Sequence, residues 1–180
     1  LTERSLFMPT PLGHALGGLV LGGLVSGPTT RSLTVGRRKV PLLVAWPICG
    51  MLADLDFLVG VHQGATHSLG AILVVALVTK MFEPRRPVLW VAAAAAYGSH
   101  LVLDWLGSDT VAPIGIMALW PFDRGFYLSP HEWFFPVCRD YWIMACRADL
   151  VQAVTWELVS LGPLVIGVLL LRRFRRGRTD

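Results

Sequence analysis

His100 and Asp104 stand four residues apart, a spacing that puts both side chains on one face of a helix and lets them grip a single cation. Asp54 and Asp56 are two apart, which suits the frayed end of a helix entering a loop, where one carboxylate binds metal while the other orients a histidine. The run His62-Gln-Gly-Ala-Thr-His67 supplies two imidazoles across a glycine-bearing turn, and Thr66 and Ser68 are placed to cap a helix that follows. His14 adds one more imidazole, inside an apolar stretch. Imidazole and carboxylate are the ligands of zinc and related transition metals, and a catalytic zinc keeps about three protein ligands and an open water position. Each spacing has an ordinary reading when taken singly. A lone histidine in an apolar helix is commonly a packed, hydrogen-bonded one, an Asp-x-Asp at a helix end is commonly a cap, and HxxxD is a short pattern. Their coincidence in a chain with five histidines is what favours a metal site.

The elements that must position these groups are apolar. The chain is 54% hydrophobic and 16% charged, with a mean hydropathy of +0.58, well outside the balance of a soluble domain. It calls for lipid. Residues 1–180 read as one domain, because no linker or change of composition divides them. A hydrocarbon core of about 30 Å needs roughly 20 apolar residues as helix. Windows at Leu12 to Val25, Val40 to Val59, Thr66 to Phe82, Val88 to Leu106 and Leu150 to Leu171 predict an all-α polytopic bundle of about five spans, four to five with the short first one in question. Gly13, Gly17, Gly18 and Gly22 in the first window fall at small-xxx-small spacing and predict close helix packing inside the bundle.

Lys and Arg near span ends mark the cytoplasmic side. Arg31, Arg37, Arg38 and Lys39 follow the first window, Lys80, Arg85 and Arg86 the third, and Arg172, Arg173, Arg175, Arg176 and Arg178 the fifth. Only Arg4, Arg124, Arg139 and Arg147 fall on the other side, so the expected topology has an outer N-terminus and a cytoplasmic C-terminus. That topology brings all five histidines, Asp54, Asp56 and Asp104 to the outer face. Ionisable groups within membrane segments are costly and are functional candidates by default.

Several classes drop out. The charge of +4 is spread over loop ends rather than gathered in a patch for nucleic acid. Cys49, Cys138 and Cys146 contain no CxxC pair, which argues against a thiolate zinc site. Cys138 and Cys146 could bond if their loop faces an oxidising compartment. His131-Glu132 opens like HExxH, but Phe135 stands where the second histidine is required. No P-loop, dinucleotide fingerprint or GxSxG occurs. The aromatic-rich stretch from Trp120 to Trp142 fits an interfacial belt or a lid on the headgroups.

The ordered strings Ala53-Asp-Leu-Asp56, His62-Gln-Gly-Ala-Thr-His-Ser-Leu69, Ser99-His-Leu-Val-Leu-Asp104-Trp and Leu119-Trp-Pro-Phe122 resemble the YdjM family of inner-membrane metal-dependent hydrolases. That family shares an early histidine, a P-D-x-D, an H-R-G-x-T-H-S, an HxxxD and a W-P-F. Ala53 stands here for its proline and Gln63 for its arginine, the latter a contact that a substrate anion would lose. Glu157, beside Trp156, falls at a recurrent acidic position. More distantly, the set is similar to zinc-dependent phospholipase C, whose later HxxxE this chain lacks, so the resemblance implies one metal, with a second left open. The resemblance implies a bacterial inner-membrane location and a divalent metal, zinc first among candidates, held by His14, Asp54, His62, His67, His100 and Asp104. Asp56 or Glu157 would serve as general base or as a partner behind the ligands. The expected reaction is hydrolysis of a phosphoester or another ester near the lipid headgroups. The rival expectations are a transporter using the same groups as a metal or proton path, and a haem-binding subunit with axial histidines.

Overall fold

The computed structural model describes residues 6–7, 9–58, 62–110, 112–138 and 143–176. Arg4, Arg139 and Arg178 of the charge count, Val59 of the second window and Trp142 of the aromatic stretch lie outside the described residues. The chain is mostly helical. In order come β1 (Leu6–Phe7), α1 (Pro11–Ser26), β2 (Ser32–Val35), β3 (Arg38–Pro41), α2 (Leu42–Met51), a 3₁₀ segment (Leu52–Leu58), α3 (Leu69–Phe82), α4 (Pro87–Trp105), β4 (Val137–Cys138) and α5 (Met144–Arg176).

Local chemistry starts α1 and α3. The Thr10 side chain accepts a hydrogen bond from the Gly13 N–H and Pro11 occupies the first turn of α1, where no backbone N–H is needed. Ser68 caps α3 by accepting from the Ala71 N–H at 3.1 Å. α1 is the axis of the bundle, packing on α2, α4 and α5. Its glycines allow the approach. A Cβ at Gly18 would strike the Trp46 carbonyl and the Gly50 Cα, and a Cβ at Gly50 would strike the His14 carbonyl. Backbone therefore lies on backbone between α1 and α2, the contact expected of small-xxx-small packing. Leu42, Trp46, Cys49 and Ala53 meet Leu89, Ala92, Ala93 and Ala96 to form the main core.

α5 is latched to α1 at two levels. The Glu157 carboxylate accepts from the Thr10 N–H at 2.6 Å and from the Thr10 hydroxyl. Further along, Arg172 donates to the Gly23 carbonyl at 3.0 Å, to Ser26 Oγ at 3.1 Å and to the Thr30 carbonyl, satisfying the carbonyls at the end of α1. Arg172, one of the basic residues that close the last apolar window, is turned inward and is 5% exposed.

Two expectations change. The window at Val40 to Val59 is not one continuous α-helix: its first residues belong to β3, α2 holds ten residues with Pro47 inside, and the rest tightens into 3₁₀ turns. The basic segment after α1 is not a plain loop either. β2 and β3 pair antiparallel around Gly36 and Arg37, with Gly36 at φ +60° as the first residue of a two-residue turn. Cys138 and Cys146 form a disulfide, which ties β4, paired with β1, to the start of α5.

Among the described residues, only Pro87–Trp105 and Cys146–Arg175 are long and apolar enough to cross a bilayer by themselves. α1, α3 and α2 have 16, 14 and 10 residues. The outward surface is nevertheless hydrocarbon, with Leu73, Val74, Leu77 and Met81 exposed on α3 and Val151, Leu158, Val159, Leu164 and Ile166 exposed on α5. Apolar faces of this extent need lipid or another apolar surface over them.

Candidate metal centre

The HxxxD of α4 lies on the face turned to α1 and α2, and His100 and Asp104 are sealed from solvent. The His100 Nδ1–H donates to the Gly50 carbonyl at 2.7 Å, which leaves its Nε2 as a lone pair. His67 enters from the turn before α3. Thr66 donates its hydroxyl hydrogen to Asp56 Oδ2 at 2.7 Å, so its oxygen accepts from the His67 Nδ1–H at 3.0 Å, and Asp56 lies 3.2 Å from the same nitrogen. The Nε2 of His67 is thereby also a lone pair. The two Nε2 atoms face each other at 3.1 Å.

Carboxylates close the same space. Asp104 Oδ2 is 3.1 Å from His100 Nε2 and 3.3 Å from His67 Nε2, while Asp54 Oδ1 is 3.6 Å and 4.0 Å away. His14, one turn into α1, stacks on His100 with ring centroids 3.7 Å apart and brings Nε2 to 3.2 Å from Asp104 Oδ1. That approach is close enough for electrostatic pairing but not aligned as a hydrogen bond, and Asp104 Oδ1 and His14 Nδ1 are buried without a hydrogen-bond partner. Orphaned buried groups of this kind carry a penalty of about 1–3 kcal/mol each unless something else satisfies them.

Among the described residues, three sets of donors lie close enough to hold an ion: His14 with His100 and Asp104, Asp54 with His67 and His100, and Asp56 with His62 and His67. The first two share His100 and form the centre; the third flanks it. A cation among the facing lone pairs removes their repulsion and engages the orphaned carboxylate oxygen, so these residues fit a divalent metal.

The predicted residues separate by position. His14, Asp54, His67, His100 and Asp104 converge. His62 lies one layer out, 2.9 Å from Asp56 and stacked on Phe57. Asp56 holds histidines rather than facing the centre. Its carboxylate is engaged by His62, Thr66 and His67. Glu157, expected as a base or partner behind the metal, is committed to Thr10 and belongs to none of the three sets. His131, never among the expected ligands, is exposed on its loop and belongs to none of them.

Sequence reasoning missed the Gly50 carbonyl, Thr66 as a link between Asp56 and His67, and Thr10 as the partner of Glu157. The Thr66 role was within reach, because a hydroxyl beside a ligating histidine is a natural partner behind it. Replacing Glu157 by alanine is expected to leave the Thr10 N–H buried and unpaired, lowering stability by about 1–3 kcal/mol. Thermal unfolding in detergent measures the loss, and metal content should stay at the wild-type level because the carboxylate is not a ligand.

A helical bundle with a lipid-facing surface and a buried His/Asp centre at one end defines a membrane protein with a candidate metal site. The chain belongs to the YdjM inner membrane protein family, which matches it over residues 8–176. No curated protein and no solved structure matches it.

Proposed function

We propose that this protein is a membrane-embedded, metal-dependent hydrolase whose His/Asp centre lies at the outer membrane face and cleaves a phosphoester or another ester near the lipid headgroups. The observation that carries this reading is the pair of Nε2 lone pairs 3.1 Å apart with a buried carboxylate against both. His67, His100 and Asp104 would hold the ion, with His14 behind Asp104, and zinc suits such nitrogen and oxygen donors. A bound divalent ion supplies Lewis acidity, acidifying a water molecule and polarising the scissile phosphoryl or carbonyl oxygen.

The residues around it divide the remaining work. Asp56 and the Gly50 carbonyl fix the tautomers and ring orientations of His67 and His100. Asp54 stands slightly farther off, and its side chain is 22% exposed, whereas those of His67, His100 and Asp104 are closed. It is the carboxylate placed to take a proton from water and return it to solvent, a role that Asp56 and Glu157 cannot fill while their oxygens are engaged.

All five helices cross the membrane in this proposal. Their alternation puts the centre at the end holding the start of α1 and the finish of α4, and the basic hairpin, the turn between α3 and α4 and the finish of α5 at the opposite end. Basic residues favour the cytoplasm, and a disulfide at the start of α5 suits an oxidising exterior. Detergent-purified protein is expected to hydrolyse members of a phosphodiester and carboxyl-ester panel, to stop on chelation and to recover with zinc. Asp54→Asn should retain metal and lose about 10²- to 10⁴-fold in rate, the usual contribution of a general base. Turnover unaffected by both chelation and Asp54→Asn would exclude the mechanism.

A further inference from the structure

At the opposite end of the bundle is an opening that the metal centre does not use. α2 and α3 both pack on α4 but hardly on each other. The gap between them is a cavity of about 370 Å³. Ala45 of α2 and Val75 and Val78 of α3 form its walls, Ala93 of α4 its floor, and Val35 and Val40 of the hairpin its roof. The polar groups along it are already engaged. Thr79 Oγ1 donates to the Val75 carbonyl at 2.8 Å, the Cys49 thiol to the Ala93 carbonyl at 3.4 Å, and Trp46 Nε1 to Ser26 Oγ at 3.2 Å. Such a lining offers hydrogen bonds to nothing and suits hydrocarbon.

The mouth is different. Leu33 stands opposite Val40 and Val35 opposite Arg38. Residues directly opposite in an antiparallel pair share a face, and so do residues two apart along a strand. Arg38 therefore lies on the hairpin face that roofs the cavity, near the turn. Arg37, Arg38 and Lys39 are exposed. Two cations of the α3 and α4 side are engaged: Lys80 lies over the Trp90 ring, 5.2 Å from its centroid, and Arg86 bonds the Ser32 carbonyl and Glu83.

An apolar slot open to the lipid-facing side of α3, with an exposed guanidinium on its roof, matches a molecule with a hydrocarbon chain and a negative head. We infer that the groove between α2 and α3 binds one anionic phospholipid, with an acyl chain against Val75 and Val78 and the phosphate at Arg38. This site is independent of the metal centre and of any hydrolytic activity.

Native mass spectrometry of the detergent-purified full chain tests it, with dioleoyl phosphatidylglycerol and dioleoyl phosphatidylcholine as probes. The wild type is expected to retain a single phosphatidylglycerol in preference to phosphatidylcholine. Arg38→Glu should reduce phosphatidylglycerol retention by at least roughly fivefold, the effect of about one basic residue at an anionic lipid surface, and leave phosphatidylcholine retention unchanged. Val78 is 45% exposed, so Val78→Trp fills the slot from its open side and should lower retention of both lipids while the protein elutes as before. Equal retention of the two lipids by the wild type would overturn the proposal, as would a preference that survives Arg38→Glu. A dimer lost only in Val78→Trp would also overturn it, by assigning the slot to a second copy of the chain.

Discussion

Asp104→Ala protein is expected to leave the detergent column with essentially no bound divalent metal, while the wild type carries one ion. Asp104 is the carboxylate within 3.3 Å of three imidazole nitrogens, those of His14, His67 and His100, and its removal leaves no anion sealed inside the centre. Losing only a partner behind a ligand costs about 10- to 100-fold in metal affinity, so losing the central carboxylate should cost more than roughly 100-fold. Asp56→Asn provides the comparison: its affinity should fall within that 10- to 100-fold range, because the His67 ring is displaced rather than a ligand deleted. Metal analysis after dialysis against graded chelator separates the three proteins. Equal metal in wild type and Asp104→Ala, whether full or negligible, would remove the centre from the account.

Gly50→Ala is expected to be strongly destabilising for a change of a single methyl group. The new Cβ meets the His14 carbonyl, and the Gly18 Cα and N lie 3.0 and 3.1 Å from it. All three are backbone atoms of α1 and cannot rotate aside. Overpacking costs about 1–3 kcal/mol and occasionally more, and a clash confined to backbone belongs at the upper end. The same displacement moves the carbonyl that orients His100, so thermal stability and metal content should fall together. Gly162, where an added Cβ meets nothing within 4 Å, is the control: Gly162→Ala should leave both unchanged.

Legibility from the sequence followed the range of the interaction. α1 and α4 begin and end within a residue or so of their apolar windows, because capping and hydrophobic length are local properties. HxxxD worked for the same reason, since helical spacing alone puts its two side chains together. The second window was legible in part: the Asp54 and Asp56 spacing reads as the frayed end of a helix, whereas hydropathy is blind to Pro47 and to the strand at the window's start. The hairpin left its own sign in Val35-Gly-Arg-Arg38, a two-residue turn between β-favouring residues that the count of basic charges obscured. The pairing of Glu157 with Thr10 spans 147 residues and is set by how α5 lies on α1, which no local pattern encodes.

The double latch between α1 and α5 also sets a thickness. From Glu157 to Arg172, α5 rises about 22 Å at about 1.5 Å per residue, and the 16 residues of α1 and 14 of α3 span about 24 Å and about 21 Å by the same measure. A bilayer that follows these helices must pinch inward from its usual hydrocarbon core of about 30 Å. On the proposed function, such a dimple would bring leaflet phosphates towards Asp54, so that the hydrolase would reach headgroups by deforming the sheet they lie in rather than by extending out to meet them.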